Sequence, residues 1–138
     1  MDRIELELID GEIAITIEGG GENMLRVRRI TARDALVLGL LLTSETPELA
    51  LNVAVRNGVT LQIENWPYTR AWLGIDDGEG GRIVACLEDG MIRQIGQCLH
   101  GLYLTVNGSP MASGAVHILP ISYCYFDHEP RDETDLLE

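Results

Sequence analysis

Four arginines within eight residues are the side chains of this sequence best suited to binding an anion. On a β-strand, Arg26 and Arg28 share one face. A helix predicted to begin after Thr31 would add the free N–H groups and the positive dipole end of its first turn. Guanidinium groups bind phosphate and carboxylate. The pattern therefore predicts a candidate anion site, formed by Arg26, Arg28, Arg29 and Arg33.

The same arginines have an alternative, structural role, which we favour. Arg26 and Arg28 alternate along the chain as Glu5 and Glu7 do, and opposite charges on neighbouring strands pair across a sheet. On a solvent-exposed face each such pair contributes little to the stability of the fold. In this interpretation the arginines neutralise acids of the first hairpin, Glu12 among them, and no anion binds.

The cysteines and histidines offer a weaker basis for catalysis. Cys98 with His100, or Cys124 with His117, could form a thiolate–imidazole pair. No two histidines have the spacing of metal ligands on a helix, and no Cys-x-x-Cys occurs. Together with Cys86 the chain has three widely spaced cysteines, which predicts reduced, mostly buried thiols. We therefore expect no catalytic residue, no metal and no cofactor.

Aromatic and acidic residues in the middle of the chain are candidates for partner binding. Exposed aromatic side chains form binding hot spots, whereas buried ones would close one end of the core, which is the default interpretation. The neighbouring acids do not follow the twelve-residue calcium-loop pattern and indicate a solvated loop. The candidates are Trp66, Tyr68, Trp72, Asp76, Asp77 and Glu79.

The segment 91–126 has an unusual charge distribution. Arg93 is its only Asp, Glu, Lys or Arg in 36 residues. Exposed chain is usually charged, so much of this segment must be buried or must contact another protein, since interface cores are depleted of charge. The lack of charge fits a segment buried in the core, and it equally fits a surface through which the protein associates with itself. The second predicts a homo-oligomer formed through part of 91–126.

The formal net charge of −12 favours one kind of partner. It repels DNA and RNA, whose binding depends on neutralising phosphates, and it attracts a basic protein surface. The leading hypothesis is a small acidic non-enzymatic binding protein, an inhibitor or accessory protein that occludes a basic, for example nucleic-acid-binding, surface. Two alternatives stay open. One is a small enzyme or sensor that binds a phosphate-containing ligand through the Arg26–Arg33 patch, and the other is a self-assembling structural subunit.

The chain of 138 residues is long enough for one hydrophobic core. Its longest apolar run, Ala35–Leu42, is far shorter than the ~20 residues that cross a bilayer. The N-terminus has no hydrophobic signal core. We therefore expect one α+β domain over residues 1–126, a flexible acidic tail over 127–138, no membrane association and a cytoplasmic location.

Turn and helix signals place the first elements. Asp10-Gly11 predicts a tight turn between two alternating strands, followed by a third strand near 24–29. Thr31 is a helix cap, and the apolar stretch after it predicts a helix buried on all sides. Thr46-Pro47-Glu48 and Asn57-Gly58 predict the start and end of a second helix.

The second half alternates strands with glycine-rich turns. Strands are predicted at 59–63 and 82–87, with a loop over 74–81 between them. Helical spacing from residue 91 to 102 favours a helix over a hairpin there. Strands are predicted again at 103–106 and 116–126, with Pro120 at a bulge or an edge. The fold class is α+β: an antiparallel or mixed sheet with the N-terminal β-hairpin and a third strand, and two or three helices packed on the sheet.

Overall fold

The computed structural model describes residues 2–19, 24–43, 51–55, 58–64, 70–76 and 81–128. Within these residues the elements follow one another along the chain as nine strands and two helices. They are β1 (Arg3–Ile9), β2 (Glu12–Gly19), β3 (Met24–Thr31), α1 (Ala32–Thr43), β4 (Leu51–Val55), β5 (Val59–Glu64), β6 (Arg70–Asp76), β7 (Gly81–Glu88), α2 (Asp89–Gly108), β8 (Val116–Pro120) and β9 (Tyr123–His128).

The strands form two antiparallel sheets. Sheet A has the strand order β3-β2-β1-β8, and sheet B has the order β4-β5-β6-β7-β9. The α+β class, the N-terminal hairpin with its third strand and the packed helices are confirmed. Asp10 and Gly11 join β1 to β2 with φ angles of 49° and 82°, the positive values that a two-residue hairpin turn needs at both positions.

One hydrophobic core lies between the inner faces of the two sheets and one side of each helix. Alternation along β1 and β2 sends isoleucine and leucine inward and glutamate outward. Both helices contribute to the same cluster of buried residues. Fully buried members from different elements are Leu6, Ile15, Leu38, Leu73, Ile83 and Ile95.

Helix α1 begins where the cap signal placed it but is not buried on all sides. The Thr31 hydroxyl oxygen accepts a 3.1 Å hydrogen bond from the Asp34 amide, which confirms the cap. Leu38 and Leu42 face the core, whereas Val37 and Leu40 stay 41% and 55% exposed. The prediction of a helix buried all round is wrong, because within the described part of the chain α1 packs on α2 and on sheet A along one side only.

The predicted second helix over 46–57 is wrong at residues 51–55, which form β4. The strand pairs antiparallel with β5, with Val55 opposite Val59. The helix-start residues 44–50 and residues 56–57 lie outside the described residues. Cap signals depend only on the residues beside the helix ends. Residues 51–55 instead form hydrogen bonds with β5, the next strand in the chain, and this pairing determines their conformation.

Helix α2 confirms the helical interpretation after Asp89 and continues to Gly108. The strand predicted at 103–106 is therefore wrong. Leu99, Leu102 and Val106 continue the helical spacing onto the core side, and the Thr105 hydroxyl donates a 3.0 Å hydrogen bond to the Gly101 carbonyl.

The single strand predicted over 116–126 is wrong: the segment forms β8 in sheet A and β9 in sheet B, with residues 121–122 between them. Pro120 has no N–H to continue a ladder, so the first strand ends there. Pro120 ends β8, the edge strand of sheet A, as predicted for a proline at an edge. Residues 74–76, predicted as loop, belong to β6. Strand β9 includes Asp127 and His128, so it extends two residues past the predicted domain boundary, and residues 129–138 lie outside the described ones. None of the described helices is long and apolar enough to cross a membrane.

Candidate functional site

The outer face of sheet A carries an unusual combination of acidic and apolar side chains. Cross-strand partners share a face of the sheet, so the strand registers place residues in rows across it. One row consists of Val27, Thr16, Glu5 and Ile118, and the next consists of Arg29, Ala14, Glu7 and Val116. These two rows are called the acidic face below.

Ion pairs lie on either side of the acidic face rather than at its centre. Arg3 bonds Glu18 at 2.7 Å, and Arg29 reaches Glu12 at 3.4 Å. Within the part of the chain that the structure describes, the carboxylates of Glu5 and Glu7 have neither an ion-pair nor a hydrogen-bond partner. They stand two residues apart on the outer face of β1.

Apolar side chains flank these glutamates at both edges of the sheet. On β3, Leu25 is 46% exposed and Val27 41%. On β8, Val116 is 44% exposed and Ile118 55%. An acidic centre between two exposed apolar edges offers charge attraction and apolar contact area together.

The four arginines of the candidate anion site do not converge on one face of β3. Arg29 lies opposite Ala14, on the acidic face, whereas Arg28 lies opposite the buried Ile15, on the other face. In the register Arg26 is opposite Ile17. Arg33 is exposed on α1. The anion site itself stays a prediction.

The predicted pairing of Arg28 with Glu5, Glu7 or Glu12 is wrong, because those glutamates lie on the opposite face of sheet A. The side chain of Arg28 extends instead toward sheet B. Its Nε lies 3.4 Å from the position that a Cβ on Gly58 would occupy, and the Asp76 Cβ lies 2.9 Å from the same position. Arg29 is the arginine that pairs with Glu12.

The aromatic and acidic candidates are only partly within the described residues. Trp72 and Asp76 alternate with Gly74 on the outer face of β6, in sheet B. The others, Trp66, Tyr68, Asp77 and Glu79, lie outside the described residues.

Sheet B also exposes two aromatic residues that the sequence analysis missed. Tyr123 and Tyr125 stack on β9 with ring centroids 6.3 Å apart. A hydrogen bond with the Cys86 thiol raises the pKa of Tyr123. Their alternation around the buried Cys124 was the available signal that they share the outer face of a strand.

The three cysteines form no disulfide, and Cys86 and Cys124 are buried, which confirms that the cysteines are mostly buried. Burial, helped by the Asp2 carboxylate, raises the pKa of Cys124 to about 12. Burial also raises the pKa of Cys98. Since the thiolate is the nucleophile, these shifts oppose cysteine chemistry.

Neither cysteine is placed to pair with its candidate histidine. The Cys124 amide on β9 donates a hydrogen bond to the Asp2 carboxylate, whereas His117 on β8 lies opposite Leu6, four residues further along the chain from Asp2. Cys98 packs against the core, and His100, two positions further along α2, is exposed and stacks on Tyr103. Residues two apart on a helix do not face each other.

The thiol of Cys124 leads to a pH prediction. The unfolded thiol loses its proton near its ordinary value of 9.0, and the folded one near 12. Above pH 9 the unfolded state therefore binds fewer protons, so stability falls as pH rises through this window. Urea unfolding of the native protein and of Cys124→Ser, near pH 8 and near pH 11, tests this. We expect a smaller alkaline loss for Cys124→Ser, and equal losses would contradict the prediction.

Among the described residues no group of three or more His, Cys, Asp or Glu side chains could hold a metal ion. No protein-family model matches this chain, and comparison with curated proteins and with solved structures finds no match. The acidic face of sheet A is the candidate site considered below.

Proposed function

We propose that this protein is a small acidic binding protein, without enzymatic activity, that occludes a basic surface of a partner protein. An inhibitor or accessory protein acting on a nucleic-acid-binding partner is the most concrete form of this proposal. The observation that carries it is the pair Glu5 and Glu7, which lack partners within the described chain and lie between exposed apolar edges.

Physical chemistry supports a basic protein as the occupant of the acidic face. Two carboxylates on adjacent outward positions of one strand present their charge to the same partner surface, and a net charge of −12 speeds the encounter with a basic protein. The exposed edges, Val27 on one side and Ile118 on the other, provide apolar contact that a simple ion cluster lacks. DNA and RNA are repelled by the same charge.

Two charge-neutralised variants test the proposal. Glu5→Gln with Glu7→Gln removes the charge of the acidic face, and Glu133→Gln with Glu138→Gln removes the same charge elsewhere in the chain. We expect the first pair to weaken binding of a labelled lysine-rich amphipathic peptide roughly tenfold, since each exposed ion pair contributes up to about 1 kcal/mol. Fluorescence anisotropy measures the affinity, which should also fall with added salt.

The same variants, immobilised, then test the physiological partner. A basic protein retained by the native chain and by the Glu133/Glu138 control, but lost from the Glu5/Glu7 variant, supports the proposal. If both variants bind the peptide equally and retain the same proteins, the acidic face is not the binding surface.

A further inference from the structure

Strand β8 borders the acidic face, and among the described residues no strand pairs with its outer edge. Strand β8 ends sheet A, and along it only Leu119 is buried. An exposed strand edge offers unpaired N–H and C=O groups to another chain. The hydrogen bonds between β8 and β1 determine which backbone groups of β8 point to its outer edge.

Two backbone hydrogen bonds show which residues of β8 are hydrogen-bonded to β1. The Ile121 amide donates to the Asp2 carbonyl at 3.1 Å, and the Leu8 amide donates to the Ala115 carbonyl at 2.8 Å. In an antiparallel ladder, hydrogen-bonded and non-hydrogen-bonded pairs alternate. His117 and Leu119 therefore bond to β1.

Val116, Ile118 and Pro120 consequently direct their backbone groups away from β1. Pro120 has no N–H to offer, so it ends the row of donors at the free edge. Val116 and Ile118 each present one N–H and one C=O. Two antiparallel copies of this segment supply each other with matching donors and acceptors.

Charge favours a second copy of this chain as the occupant. Arg93 is the only charged residue in 91–126, so β8 belongs to an uncharged segment of a strongly acidic protein. Two molecules of charge −12 repel each other on average, and an edge without charged side chains is where two copies approach with least repulsion. Strand β3, at the other edge of sheet A, contains Arg26, Arg28 and Arg29, and such charges oppose edge-to-edge pairing.

The glutamates of the acidic face do not prevent this pairing. Glu5 and Glu7 lie on β1, one strand in from the edge. In a paired assembly the β1 strands of the two copies are three strand spacings apart, about 14 Å. That distance exceeds the screening length of about 8 Å at physiological ionic strength.

We propose that two copies of this protein associate through antiparallel pairing of their β8 edges, by way of the backbone groups of Val116 and Ile118. Sheet A then continues from one molecule into the other as an eight-stranded sheet. The association uses backbone groups at the edge of sheet A, whereas the proposed partner binding uses side chains of the acidic face. Glu5→Gln with Glu7→Gln should therefore leave the association intact.

The first test uses matched lysine substitutions at the two edges of sheet A. Ile118→Lys and Val27→Lys both change an exposed residue of the acidic face, so both should fold, as circular dichroism will show. A lysine on an edge strand opposes pairing with another strand, because the charge would lose water at the interface. Sedimentation equilibrium at tens of micromolar should find a dimer for the native chain and for Val27→Lys, and a monomer for Ile118→Lys. A strictly monomeric native chain, or a dimer that survives Ile118→Lys, overturns the proposal.

Hydrogen exchange provides a second test without any substitution. The amides of Val116 and Ile118 should exchange more slowly as protein concentration rises, whereas those of His117 and Leu119, bonded to β1, should not change. The proposal is overturned if the exchange rates of the Val116 and Ile118 amides stay the same at protein concentrations below and above the measured dimerisation constant.

Discussion

Leu38→Ala should lower the free energy of unfolding by ~2–5 kcal/mol, the usual range for truncating a large buried side chain. Leu38 is fully buried on the core side of α1. The substitution removes apolar atoms and leaves a cavity between α1, α2 and the sheets, which the packed surroundings fill only in part. Urea unfolding monitored by circular dichroism measures the loss.

The same helix supplies the matched control. Leu40 is 55% exposed, and alanine is at least as good a helix former as leucine. Leu40→Ala should therefore change stability by less than about 0.5 kcal/mol, as surface substitutions usually do. If the two variants lose equal stability, α1 does not pack as described.

Short-range signals in the sequence were sufficient for many elements. The turn at Asp10-Gly11 and the cap at Thr31 depend on the conformation of a few adjacent residues, and both occur where predicted. The pairing of β4 with β5 is different, because it depends on residues beyond the cap signals themselves. Residues 51–55 form a strand because β5 pairs with them, and no cap signal in 46–57 carries that information.

The face of β3 shows why the candidate site was harder to predict than the fold. Leu25 and Val27 alternate with arginines, which suggests that the apolar pair is buried. The structure has the opposite arrangement: Leu25 and Val27 are exposed, and Ile30, opposite the buried Ile13, is the residue that packs in the core. Register is set by the whole buried face, and for β3 that face is defined by isoleucines of β2.

The acidic face had a partial signal in the sequence. The glutamates at positions 5 and 7 alternate with buried residues, so their shared outward face was predictable from period-two alternation. Their neighbours Val116 and Ile118 come from a strand more than a hundred residues away in the chain. Only the assembled sheet shows that apolar edges flank these acids.

Gly96→Ala should destabilise the protein by ~1–3 kcal/mol, the usual cost of overpacking a well-filled interface. Gly39 and Gly96 let α1 and α2 approach closely. A Cβ on Gly96 would lie 2.7 Å from the Thr43 Cγ2 and 2.9 Å from the Leu42 Cβ. The Leu42 Cβ is fixed to the backbone of α1, and the Gly39 carbonyl oxygen lies only 3.1 Å from the same position, so the helices themselves must separate.

Gly101→Ala, five positions along the same helix, separates this packing cost from helix propensity. No described atom lies within 4 Å of the position that its Cβ would take, so the variant should gain up to about 1 kcal/mol from the preference of helices for alanine over glycine. The same gain applies at position 96, where the steric clash outweighs it. Chemical denaturation of the two variants should therefore give changes of opposite sign. A Gly96→Ala protein as stable as the native one would mean that α1 and α2 move apart without losing their shared core contacts.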